Sequence, residues 1–212
     1  MKALSKFEID TLREVSAIGA GSASTALSEL TNSKIDIKFP EVIPYPIEKI
    51  PNVIGKPEQQ IIMIYLPISG RKGRAKFSVG SMLLIFDKKD GVELASMLQK
   101  IRATTREPTE MDMSALKETG NILSGACLNA LTQMIDIKLM EGLPESSVDM
   151  LKSTLDPLLY PLAIKVKETF LFKTKFFVSG KRVGANFIIL FNPAIHEVIE
   201  KSAKGKNWVV KL

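Results

Sequence analysis

Cysteine is nearly absent from this chain of 212 residues: Cys127 stands alone and cannot close an internal disulfide. That excludes a disulfide-stapled scaffold as the source of stability. Histidine is equally scarce. The single His196 has no Cys or Asp cluster near it in sequence, so neither a metal site nor a catalytic triad is expected around it. Long hydrophobic runs are missing too. The longest, Ile61 to Leu66, extends past Pro67 only to Ile68, far below the roughly 18 residues of a membrane span. The segment Met1 to Glu8 has no apolar core followed by a cleavage-like site, so no signal peptide is indicated and a reducing cytoplasm is the expected compartment.

What is present is ordinary for a globular chain large enough for one domain or two small joined ones. Lys and Arg outnumber Asp and Glu by 29 to 23, a net charge of +6. The surplus favours acidic partners without choosing among them. The densest basic group is Arg71-Lys72-Gly73-Arg74 with Lys76, where a Gly-rich turn joins two apolar runs. No aromatics are interleaved with it, so it reads as a solvated hairpin tip and no nucleic-acid partner is expected.

The chain matches itself when shifted by 104 positions, at Leu12/Leu116, Glu14/Glu118, Ile18/Ile122, Gly21/Gly125, Ala26/Ala130 and Leu27/Leu131. Ile35-Asp36-Ile37-Lys38 and Ile135-Asp136-Ile137-Lys138 are identical at an offset of 100, which implies four residues of slippage where the helix ends. The offset returns to 104 at Pro40/Pro144 and at Val79-Gly80/Val183-Gly184. Agreement at both ends of the unit predicts a tandem duplication, with repeats at about 1–105 and 106–212 forming one domain.

Each unit opens with a helix behind a capping-box pattern, Ser5-x-x-Glu8 and, more loosely, Thr109-x-x-Asp112. Strands are expected at Ile61–Ile68, Ala75–Val79 and Met82–Phe86, then at Ala163–Phe170, Phe172–Val178 and Ala185–Phe191. Gly70, Gly73, Gly80, Gly180 and Gly184 mark turns. Closing helices are expected near Lys89–Lys100 and Ala194–Ala203, and a further helix from Ser146 to Leu155, ended by Pro157. The fold class is α+β: long helices packed on a mostly antiparallel sheet, related by a pseudo-two-fold.

At 100° per residue the second opening helix, about 110 to 135, separates into two faces. Leu116, Leu123, Cys127, Ala130, Leu131 and Met134 form an apolar stripe. Ser114, Glu118, Asn121, Gly125 and Thr132 form one narrow polar line, and the first helix sets Asp10, Glu14, Ala17, Gly21 and Ser28 on the equivalent line. Gly120 and Gly125 inside a helix each cost about 1 kcal/mol relative to alanine, and Asn121 is a mediocre helix former. A glycine on the polar line makes sense where another backbone must come close. A Glu and an Asn three apart could be a surface contact alone; the repetition of the line, with its Glu at the same distance from a downstream proline, argues for a site.

The pattern Ser114-x3-Glu118-x2-Asn121-x22-Pro144 resembles the signature of the CheC-type phosphatases of chemotaxis response regulators, a family that includes CheX and FliY. The first copy, Asp10-x3-Glu14-x2-Ala17-x22-Pro40, keeps the spacing with Ala in place of Asn. Ile18-Gly19-Ala20-Gly21 and Gly120-Asn121-Ile122-Leu123-Ser124-Gly125 also read like that family's helices. Two units, with no flagellar switch domain after Leu212, make the resemblance closer to CheC than to CheX or FliY.

The resemblance implies that the substrate is the aspartyl phosphate of a CheY-like regulator, with Mg²⁺ held by that partner and no cofactor or metal of this chain's own. Asn121 would position the attacking water, Glu118 would pair with the regulator's lysine, and Ser114 and Gly125 would line the docking surface. Glu14 and Gly21 would dock a regulator without hydrolysis, because Ala17 lacks an amide and Ser16 lies about 100° around the helix. The family also implies that CheD docks on the helix after the second motif proline, here Ser147 to Leu151, with Val148 and Asp149 as contacts and Lys152 where a small residue is usual. The alternative reading is a non-catalytic adaptor that binds CheD or a regulator.

Overall fold

Three runs, Ile61–Leu66, Met82–Phe86 and Phe187–Phe191, are apolar at nearly every position instead of every second one. A strand of that kind has to be covered on both faces, because successive side chains point to opposite sides. The computed structural model describes residues 6–72, 75–102, 106–134, 137–165 and 167–192, and in it all three runs are central strands between two helical layers. The elements are α1 (Lys6–Thr31), β1 (Ile35–Pro46), a 3-10 turn (Ile47–Lys49), α2 (Ile50–Ile54), β2 (Gln60–Lys72), β3 (Ala75–Asp87) and α3 (Lys88–Leu98). The second half follows with α4 (Glu110–Met134), β4 (Lys138–Glu141), β5 (Glu145–Met150), α5 (Leu151–Ala163), β6 (Glu168–Val178) and β7 (Lys181–Phe191).

The strands form one sheet in the order β1-β6-β7-β3-β2-β4, with β5 also on β2. Every pairing is antiparallel among the described residues. Ile62, Ile64, Leu66, Leu84, Phe172 and Phe187 point to one face, where α1, α3 and α4 cover them. Ile61, Met63, Leu83, Ile85, Ile188 and Leu190 point to the other, against Ile47, Ile50, Leu151, Leu155 and Leu159. The α+β expectation therefore holds, with a helical layer on each side of the sheet.

Several local expectations change. The stretch from Ser146 begins as strand β5, paired with β2 from Gln60↔Met150 to Tyr65↔Glu145, and the helix starts only at Leu151 and runs through Pro157 and Pro161. Ser146, Ser147 and Asp149 are poor helix formers, and backbone pairing to a neighbouring strand decides their state. Ala163 belongs to α5, and the strands expected at Ala163–Phe170 and Phe172–Val178 are a single strand, β6, from Glu168, as those expected at Ala75–Val79 and Met82–Phe86 are a single strand, β3. Gly70, Gly80 and Gly184 lie inside strands instead of turns. Gly80 occupies a bulge: Ile68 pairs with Gly80 and Ser69 with Ser78, leaving Val79 as the extra residue. Its φ of 151° and the closeness of the Leu190 carbonyl both demand glycine. Gly180 does sit in a turn, with Ser179, both at positive φ.

The four-residue slippage at the helix exit is also absent. Ser28 Oγ accepts from the Ile35 amide at 2.9 Å, and Thr132 Oγ1 accepts from the Leu139 amide at 3.1 Å. The two exits thus share the offset of 104. The Ser5 to Glu8 cap, Gly73, Ile135-Asp136, the Ala194–Ala203 helix and His196 lie outside the described residues.

Candidate functional site

Helix α4 is fixed at its start by a closed capping box. The Asp112 amide donates to Thr109 Oγ1 at 3.2 Å, and the Thr109 amide donates to Asp112 Oδ2 at 2.7 Å. Asp112 is fully buried. Arg106 donates to both of its oxygens and Gln99 Nε2 donates to Oδ1 at 2.8 Å. The Arg106 guanidinium, helped by the Thr109 and Gln99 donors, holds the Asp112 carboxyl well below the usual carboxylate range.

Beyond the cap, Leu116, Leu123, Cys127, Ala130 and Leu131 are buried on the sheet side, as the stripe predicts. Gly120 belongs with them: a Cβ there would stand 3.0 Å from Ile64 Cγ2 and 3.4 Å from Leu66 Cδ1. This glycine lets α4 lie flat on β2. Burial pushes the Cys127 thiol up to about 12, so it packs as a neutral side chain.

The polar line then faces away from the sheet. Ser114 and Glu118 are exposed, and Asn121 and Gly125 are half-buried. Among the described residues no hydrogen bond engages the Asn121 side-chain amide; its backbone carbonyl accepts from Ser124 Oγ at 3.1 Å. The Glu118 carboxylate has no ion-pair partner among the described residues either. Both side chains are therefore available to a partner and are carried by a helix that cannot easily shift. Gly125 faces the chain's own β4, with Glu141 Oε1 3.2 Å from where a Cβ would be.

On α1, Glu14, Ala17 and Gly21 are exposed, and Asp10 pairs with Arg13 at 3.2 Å. Ser16 is buried, which removes it from the exposed line. The two helices touch through a residue that sequence reasoning missed as a contact point. A Cβ at Gly19 would come within 3.0 Å of Cys127 Cα. The clue was a glycine off the polar line with no turn to make. Val148 and Asp149 lie on β5, an edge strand and not a helix, where Asp149 Oδ1 accepts from the Met150 amide at 2.6 Å. No group of three or more His, Cys, Asp or Glu that could hold a metal occurs among the described residues.

The model of the CheC-like family matches residues 7–43, which span α1 and most of β1. Over 152 residues the chain is 31% identical to the CheY-P phosphatase CheC of Bacillus subtilis, covering 68% of this chain and 67% of that protein. The chain belongs to the CheC-like family. It is also 29% identical over 138 residues to the flagellar motor switch phosphatase FliY of the same organism, across 64% of this chain and 34% of FliY. The fold of this CheC-like chain matches the crystal structure of Thermotoga maritima FliY with a TM-score of 0.71 at 18% identity, covering 96% of one and 97% of the other. None of its described helices is long and apolar enough to cross a membrane.

Proposed function

We propose that this chain hydrolyses the aspartyl phosphate of a CheY-type response regulator, with Asn121 and Glu118 as the working pair. The observation that carries the reading is the outward presentation of both side chains, uncommitted among the described residues, on a helix capped and packed against the sheet. Such hydrolysis asks for little covalent help. It needs a water held in line with phosphorus. The Asn121 amide has both a donor and an acceptor and can orient that water. Glu118, one turn away on the same line, pairs with a lysine of the regulator and sets the depth of insertion. Magnesium belongs to the regulator's own carboxylates. In this reading the halves, about 1–105 and 106–212, are copies of one unit, and only the second kept the amide.

A purified regulator, phosphorylated and followed with and without this chain, tests the proposal. The wild type is expected to accelerate loss of phosphate. Asn121→Ala is expected to lower that rate about a hundredfold while regulator binding persists. Ala17→Asn is expected to raise it, because Glu14 already lies on the matching line. A wild type that leaves its genuine regulator's dephosphorylation unchanged defeats the enzyme reading.

One observation favours a second reading. Ala17 sits exposed at the place of the amide, so a regulator docked on this copy would meet no group there to orient water. A non-catalytic adaptor for a regulator or for CheD would need only such docking. For CheD the contacts would be Val148 and Asp149 on β5, and direct binding of CheD to wild type and Asp149→Lys measures it.

A further inference from the structure

The residue just before the motif proline is apolar in both halves, Phe39 before Pro40 and Leu143 before Pro144, yet the two are disposed oppositely. Phe39 turns inward, its ring 5.6 Å from Phe172 and 5.9 Å from Phe187. Leu143 is 86% exposed. Single exposed leucines are common and mean little alone. Here the exposure is constructed. Strand β1 runs on through Pro40 with a register shift between Lys38 and Glu41, whereas the second half breaks into two strands, β4 and β5, at residues 142–144. The Gly142 amide donates to the Pro67 carbonyl at 2.7 Å, and a Cβ at Gly142 would stand 2.7 Å from Pro67 Cγ. Glycine thus lets the chain press onto β2 and turn the next side chain out.

The break lies beside the site. Glu141 touches α4 at Gly125, one turn beyond Asn121, and Leu143 follows two residues later, no more than about 7 Å of chain away. Only the half with the intact Asn carries this projecting side chain. We infer that Leu143 is an apolar anchor for the phosphorylated response regulator, seating on the surface around its aspartyl phosphate and setting affinity rather than chemistry. The inference rests on the phosphatase reading. The occupant is the regulator because the anchor follows directly on Glu141, which lies against Gly125, on the helical line that carries Asn121.

Steady-state dephosphorylation of the phosphorylated regulator is measured with wild type, Leu143→Ser, Leu143→Met and Leu30→Ser, the last an exposed leucine at the end of α1. Binding to the beryllofluoride-activated regulator is measured in parallel, with molar mass in solution. Leu143→Ser is expected to raise KM and Kd about tenfold at unchanged kcat, with Leu143→Met restoring both to within threefold and Leu30→Ser changing neither. KM within twofold of wild type in Leu143→Ser overturns the inference, as does a fall in kcat alone. A wild-type dimer abolished by Leu143→Ser also overturns it, since a second copy would then cover the residue. Failure of the wild type itself to bind or dephosphorylate the regulator defeats the parent reading, and is separable because no variant is involved.

Discussion

Glycines at residues 19 and 21 of α1, two apart in sequence, differ in what surrounds them. Gly21 has nothing within 4 Å of a built Cβ, whereas the same atom at Gly19 meets Cys127 Sγ at 2.9 Å and Cα at 3.0 Å. Alanine at an open helical position gains about 0.5–1 kcal/mol, mainly by restricting the unfolded chain. At Gly19 that gain is outweighed by pushing α1 off the α4 backbone, where overpacking costs about 1–3 kcal/mol. Urea midpoints are therefore expected to rise for Gly21→Ala and fall for Gly19→Ala. A rise in both would mean that the helices are not in close contact there. The polar line of Ser114, Glu118 and Asn121 was legible beforehand because helical periodicity alone assigns it to one face. The Gly19 contact, the Leu143 exposure and the Glu141 neighbour of Gly125 were not. Each depends on a partner element far away in sequence.

The same division holds for elements. Helix α3 (Lys88–Leu98) and the positions of β2 and β7 are readable from apolar runs and turn residues, whereas β3 and β6 each run unbroken where two strands are expected. Strand β5 was read as helix because its state comes from its neighbour β2. The true helix, α5, left a signal that was available: Leu151, Leu155 and Leu159, spaced four apart and all buried. At the start of α4 the local pattern did suffice, since Thr109 and Asp112 close the box that their spacing suggested. Asp112 also draws in Arg106 and Gln99, so it ties the end of α3 to the start of α4. Its carboxyl titrates lower in the folded chain than the roughly 3.9 of an unfolded aspartate. The unfolded state then binds the proton more readily, so the stabilisation is complete above about pH 4 and is lost as pH falls further. Asp112→Asn is expected to lose about 1–3 kcal/mol at neutral pH through unmade hydrogen bonds. Its urea midpoint is also expected to depend less steeply on pH between 5 and 3 than that of wild type. Parallel curves for the two proteins would remove Asp112 as the source of the acid sensitivity.

At the scale of the whole molecule, the sheet order reads the same when the halves are exchanged. Strand β1 lies beside β6, β4 and β5 lie beside β2, and β3 meets β7 at the centre. Each half therefore supplies an edge strand to the hairpin of the other, and neither completes its own sheet. The helices interlock likewise, Gly19 of one against Cys127 of the other. A half expressed alone would expose the central strand edge, with Leu83, Leu84 and Ile85 facing no neighbour, together with helix faces built for the missing half. Such an edge invites non-specific pairing, and the remaining core is smaller than a chain of about a hundred residues normally buries. Cutting the chain between Arg102 and Arg106 is thus expected to give two fragments that aggregate or stay unfolded separately. Refolded together they should form a one-to-one complex with a single cooperative unfolding transition. Because Glu118 and Asn121 stand on α4 in the second fragment, the complex is expected to recover dephosphorylation of the regulator while neither fragment alone does. A second fragment that folds and hydrolyses by itself would show that α4 needs no support from α1 and β2, and that the interlocking contributes nothing to the site.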